Sequence, residues 1–339
     1  MTDWWAGRAD NSQAELDAKK AELSDLITEV LRRQPHLCYF QGYHDICQVL
    51  LLVLPATSSL AVAKEKGGAV PVPTPPTPVG LRASTAARLS GLRIRDFMLP
   101  SLGPAVTQLR LIPEILARAD AALCARLART EPYFALPDTL TMFAHNVRRL
   151  PDIARVFDAL LAREPAFALY LFAALASSRR DRLLAEHSPE DEPDMLHFAL
   201  SKLPQSFDDG GGDGGAQEAD LDAVIAAAAD LASAHPPESL PSWRGAVSRH
   251  SALKTARSVR ACAREQTLDD GRAHFDAQLR ELRRADRVRA LRARYDTWPN
   301  RLALLAVVLG VAAAVYVRQA GDPAPSWAPL GSLWGYWGV

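Results

Sequence analysis

Four cysteines in 339 residues, Cys38, Cys47, Cys124 and Cys262, form no C-x-x-C pair and no dense framework, which excludes a disulfide scaffold and points to a reduced, cytosol-facing chain. The N-terminus MTDWWAGRAD lacks a basic segment followed by an apolar one, so no cleaved signal peptide is expected. No G-x-S-x-G, H-E-x-x-H or P-loop pattern is present to carry hydrolase, zinc-protease or nucleotide-binding chemistry. Cys38, His44 and Cys47 could be pictured around a metal, but a fourth ligand is missing and Cys47 belongs to an apolar helical stripe, so no metal is expected. No run alternates with strand period between hairpin turns, and no repeat of fixed length occurs. Net charge is also absent, but only as an average. Residues 244–301 hold 15 Arg/Lys against 7 Asp/Glu, while 302–339 hold one of each, which leaves 1–243 at −8. An acidic body and a basic stalk cancel.

What is present is helical periodicity. Ser12-Gln-Ala-Glu15 spells a capping box, and Leu16, Leu23, Leu26, Ile27, Val30 and Leu31 predict a helix over 13–33, ended at Gln34-Pro35. Tyr43, Ile46, Cys47, Leu50, Leu51 and Leu54 predict a second, stopped near Pro55. Residues 64–80 are Pro-rich and read as a surface loop. Helical spacing resumes over 84–98, 104–129, 138–149, 152–164, 166–180 and 191–203. A Gly-rich linker at 208–216 precedes an Ala-rich helix from about Gln217 to Ser233 within a C-terminal helical part, 217–250. The fold class is therefore all-α. From 251 to 297 a basic helix is expected, with a break near Gly271.

Residues Leu302 to Val317 are uncharged and almost wholly apolar. Trp298 and Tyr316 stand at the ends, and eight arginines lie within 280–301. The run is slightly short of the ~18–20 residues of a typical span. Its all-round apolarity and the arginine asymmetry nevertheless predict a single transmembrane anchor over 298–318, with a cytosolic N-terminal domain and a short luminal tail at 319–339. A thin bilayer such as that of the endoplasmic reticulum suits its length, and membrane lipids become expected partners.

Between the first two helices lies Tyr39-Phe-Gln-Gly42, which by itself reads as ordinary helix-start chemistry: packed aromatics, a glycine turn and an exposed glutamine. With Tyr43-His44-Asp45-Ile46, Arg95-Asp96-Phe97-Met98, Met142-Phe143-Ala144-His145 and Arg155-Val156-Phe157-Asp158, the stretch from about Ser12 to Leu203 resembles the TBC-domain GTPase-activating proteins of Rab-type GTPases. Together with the C-terminal apolar run, it is most similar to their endoplasmic-reticulum-anchored subgroup. Residues 1–11 match nothing in that pattern, and the domain is expected over 12–207. The resemblance implies that the chain is not itself an enzyme. It would supply Gln41 as a glutamine finger to a GTP-loaded Rab, which carries the GTP and Mg, in early secretory traffic. Tyr39 and Gly42 would shape the finger's loop, with Tyr43, His44 and Asp45 as motif support. No cofactor of its own and no nucleic-acid partner are expected.

The resemblance also exposes a gap. The family's arginine finger, in an I-x-x-D-x-x-R motif ahead of the glutamine, has no counterpart in the 38 residues before Tyr39. Asp17-Ala-Lys-Lys20 offers only lysine, which lacks the planar guanidinium fork. Two explanations stand: an N-terminally shortened active protein, or a catalytically weak Rab-binding or membrane-tethering relative. The abrupt start favours the first, and either way weak activation by this chain alone is expected.

Overall fold

The computed structural model describes residues 13–54, 80–127, 130–186, 193–207, 220–295 and 309–316. Among the described residues every regular element is helical and no strand occurs. The chain divides into two compact units, Met1–Leu279 and Arg280–Val339.

The first unit begins with α1 (Gln13–Arg33) and α2 (Tyr43–Val53), the two helices predicted from the apolar spacing. Leu23, Leu26 and Val30 make the buried stripe of α1, and Glu15 and Arg32-Arg33 complement its dipole at the two ends. Next come α3 (Leu81–Arg88), α4 (Gly103–Leu109), α5 (Leu111–Ala119), α6 (Ala121–Leu127), α7 (Leu136–Thr141), α8 (Leu150–Leu161) and α9 (Phe167–Ser178). Then follow α10 (Arg180–Glu186), α11 (Pro193–Ser201), α12 (Leu221–Ala234), α13 (Pro241–Gly245), α14 (Ala252–Thr255), α15 (Val259–Arg264) and α16 (Leu268–Tyr295).

Helix α9 is the centre. Phe167 and the whole run Leu169–Ala176 are buried, so it is apolar all round and needs cover on every side. α12 and α5 provide much of that cover, and Tyr170 Oη donates to His235 O at 2.7 Å just beyond α12. Each fully buried large side chain contributes roughly 1.5–3 kcal/mol, which makes this axis the main source of stability.

Three predicted helical runs are broken: 104–129 divides at Arg110 and Asp120 into α4, α5 and α6, and two others break where the core demands it. After α3 the chain widens into one loose turn (Leu89–Arg93) and tightens over Arg95–Met98, burying Arg95 and Asp96. The 138–149 helix stops at Thr141, where Met142 (φ 53°) and Phe143 (φ 68°) adopt left-handed backbone and Phe143 N donates to Asp138 O at 2.7 Å. Left-handed backbone costs L-residues about 1–2 kcal/mol each. Complete burial of the Phe143 ring offsets that cost.

The expected stalk from 251 differs most. Arg95 donates to Leu92 O and His250 O, both at 2.7 Å, and to Thr255 Oγ1, while Asp96 accepts from Ser251 Oγ and, at 3.0 Å, from Ala252 N. These bonds fasten 250–255 to the body, and 251–279 belongs to the first unit. Helix α16 also runs unbroken through Gly271. A Cβ there would collide with the Gly91 carbonyl oxygen, so this glycine permits close backbone approach instead of ending a helix.

In the second unit α16 continues to Tyr295 and residues 309–316 are helical. Among the described residues no helix is long and apolar enough to cross a membrane. Leu302 and Val317, the ends of the expected anchor, lie outside the described residues. So do 1–12, 55–79 and 208–219, which take in the capping-box serine, nearly all of the Pro-rich loop and the Gly-rich linker.

Candidate functional site

The turn between α1 and α2 borders a cleft of about 750 Å³. Its walls are Cys38–Gly42, the start of α2 at His44 and Asp45, Phe97–Leu102, the apolar side of α7, and His145. Gln41 is exposed on this rim. Its neighbours are not free. Cys38 N donates to Met98 O at 2.8 Å, and the Phe40 ring is buried against Tyr43 and Phe97 at 5.8 and 6.1 Å. The backbone on both sides of Gln41 is thus pinned while its amide faces solvent.

Gly42 is required twice over. Its φ is 108°, a left-handed value, and a Cβ would stand 2.7 Å from Thr141 Cγ2. Thr141 is held by donating its hydroxyl to Pro137 O at 2.8 Å, and the same oxygen accepts from His145 N at 3.2 Å. One residue of α7 therefore both braces the Gln41 loop and starts the turn that carries His145.

Asp45 is the charged element behind the loop, with only 1% of its side chain exposed. His145 Nδ1 lies 3.3 Å from Oδ2, and the hydrogen bond to Asp45 raises the His145 pKa above the ordinary histidine value despite partial burial. His145 is thus the polar partner that this buried carboxyl finds across the cleft. His44 Nε2 stands 3.3 Å from Oδ1 without forming a hydrogen bond to it. The other His44 nitrogen, Nδ1, bonds the Tyr39 hydroxyl at 3.0 Å, with Tyr39 as donor when His44 keeps its proton on Nε2. Burial, then the Asp45 charge, raises the Tyr39 pKa, so the phenol keeps its proton.

Tyr43 does not face the cleft; it donates to or accepts from Ser90 Oγ at 2.8 Å in the core, where burial raises its pKa. Cys47 is wholly buried in the apolar face of α2, and burial pushes its thiol up to about 12. No group of three metal-binding side chains occurs among the described residues. No arginine or lysine lines the cleft among the described residues.

No role for His145, Thr141 or Asp138 was legible in the sequence. Asp138 is fully buried and burial pushes its carboxyl up to about 7. Asn146 Nδ2 donates to Asp138 Oδ1 at 2.8 Å, and Gln205 Nε2 donates to Asn146 Oδ1 at 3.2 Å. The signal was the block Met142–His145, legible as a motif but not as the partner of Asp45.

Residues 8–184 match the Rab-GTPase-TBC domain. The chain belongs to that family. The TBC match starts a little before residue 12 and ends within α10, so α11 to α16 lie beyond it. The chain is 30% identical over 237 residues to "GTPase-activating protein gyp10" of Schizosaccharomyces pombe, covering 69% of this chain and 54% of that protein. It is 28% identical over 324 residues to human "TBC1 domain family member 20", covering 91% and 67%. To "GTPase-activating protein GYP8" of Saccharomyces cerevisiae it is 33% identical over 130 residues, 37% and 25%. The chain thus spans about half the length of the fission-yeast relative. Within the TBC match lie Tyr39, Gln41 and Gly42, the loop now seen pinned at both ends with Gln41 projecting.

Proposed function

We propose that this chain activates GTP hydrolysis by a Rab-type GTPase, with Gln41 entering the partner's nucleotide site. The observation that carries the reading is the exposed Gln41 amide on a loop held by Gly42, Thr141 and the Phe40 ring beside an open cleft. In phosphoryl transfer most of the catalysis is positioning and charge stabilisation. A glutamine offers a donor and an acceptor at once, with no protonation change, and can orient the attacking water beside the γ-phosphate. The partner brings GTP and Mg; this chain contributes the oriented amide.

A second reading, a catalytically weak Rab-binding or tethering protein, draws support from the lack of a cation in the described cleft wall. A trans arginine is worth ~10³–10⁵ in rate. Single-turnover hydrolysis across a panel of Rabs, with wild type and Gln41→Ala, separates the two. Stimulation lost in the variant supports the finger; equal rates sink it. Preference for GTP-loaded over GDP-loaded Rab in a pull-down, with no stimulation, supports the binding-only reading.

The proposal includes attachment to the endoplasmic-reticulum membrane through 302–317, facing the cytosol. The arginine asymmetry and the exposure of apolar Leu309, Val311 and Val315 support it. Deleting 298–339 should move the protein from the membrane to the soluble fraction; wild type already soluble would refute it.

A further inference from the structure

Beyond Leu279, α16 carries a patterned charge. Arg280, Arg283, Arg284 and Arg287 fall at i, i+3, i+4 and i+7, which places them on one helical face, and Leu291 continues that line at i+11. All four arginines are exposed. Leu291 is 53% exposed, and Val288, at the border of the face, is 46% exposed. Asp276 precedes the row on the same face, and the two acids within it stand at its sides. Glu281 is at i+1 and Asp286 at i+6, and Asp286 accepts from Arg289 on its own side of the helix. Among the described residues no ion pair engages the four arginines.

Exposed helices ordinarily relieve such a row with carboxylates three or four residues away. Here Asp276, Glu281 and Asp286 stand three or four residues from Arg280, Arg284 and Arg283, yet among the described residues no ion pair forms with the row, which presents its positive charge to the outside. The row from Arg280 to Leu291 extends about 16 Å at 1.5 Å per residue, and it ends in exposed apolar side chains. That mixture fits the headgroup boundary of a bilayer, where guanidinium groups meet lipid phosphates and Leu291 and Val288 enter the acyl edge. A nucleic-acid backbone would satisfy the arginines but leave the two apolar side chains exposed.

We infer that the Arg280–Leu291 face of α16 is a docking surface for an anionic membrane, separate from insertion of the apolar run. It rests on the proposed membrane attachment, in which the run starting at Leu302 keeps this helix near a bilayer. Each basic residue at an anionic surface is worth a roughly fivefold gain in binding, and four together about 600-fold.

The test uses the full chain carrying Leu304→Arg and Val308→Arg, so that insertion does not mask surface binding. Flotation is measured with phosphatidylcholine vesicles and with the same vesicles containing 30% phosphatidylserine. The expected result is binding to the anionic vesicles several hundredfold stronger than to neutral ones. Binding should be lost in 0.5 M salt and in R280Q/R283Q/R284Q/R287Q, and weakened several-fold by Leu291→Ser. Equal binding to both vesicles, full binding by the quadruple variant, or displacement from vesicles by single-stranded RNA at lower concentration than soluble phosphoserine would overturn it. Wild-type chain on neutral vesicles tests the insertion separately. If it fails to float there, the anchor is wrong while the arginine result stands.

Discussion

His145 Nδ1 lies 3.3 Å from Asp45 Oδ2 across 100 residues of sequence, joining the turn after α7 to the helix that starts behind Gln41. The raised His145 pKa gives this contact a pH sign. Its stabilising contribution is complete below the unfolded histidine pKa near 6.5 and is lost as pH rises through the raised folded value. Since about half of the His145 side chain is exposed, the linkage should stay below about 1 kcal/mol. Urea melts from pH 6 to 9 should show this slope in wild type and not in His145→Gln.

Gly42→Ala should combine a strained left-handed backbone with the Thr141 clash, costing about 2 kcal/mol and most GTPase stimulation. Thr141→Ser removes the Cγ2 methyl but keeps the hydroxyl that binds Pro137 O and His145 N. The double variant should recover part of the stability and not all, because φ at 42 remains positive. A double-mutant cycle by thermal melting checks this; strict additivity would remove the contact from the explanation.

Asp138 is predicted to make the protein more stable in mild acid than in mild base. Its carboxyl, pushed up to about 7 by burial, is raised above the unfolded value. The stability it contributes is therefore full below about 3.9 and disappears as pH climbs through about 7. Asp138→Asn keeps an acceptor for Asn146 without the charge. Compared with wild type it should gain stability, on the order of a few kcal/mol at most, at pH 8 relative to pH 5.

Gly271→Ala tests the packing of α16 on the body. The added methyl meets the Gly91 carbonyl oxygen, a backbone atom that cannot swing away. A loss of about 1–3 kcal/mol is expected, with hydrogen exchange rising in 89–98 and 250–255, the segments tied by Arg95 and Asp96. An unchanged melting temperature would mean that α16 does not pack here.

Much of the helix inventory was legible because burial on one face leaves a 3.6-residue signature: α1 agrees with the predicted 13–33, and α2 with the stripe from Tyr43. Gln41 and Gly42 were legible through local motif alone. His145 was not, because periodicity carries no record of which distant carboxylate needs a cation. Gly271 was read as a break for the same reason: a glycine's meaning depends on what approaches it, here the Gly91 backbone.

By itself the sequence determined an all-helical body, the motif that bears Gln41, and the uneven distribution of arginine, since side-chain period, turn chemistry and charge are local properties. The tertiary structure alone decided that Thr141 locks Gly42, that Asp45 faces two imidazoles, and that 250–279 belongs to the body. Those outcomes depend on buried polar groups finding partners across long separations, where the cost of an unsatisfied charge or a steric overlap outweighs local preference.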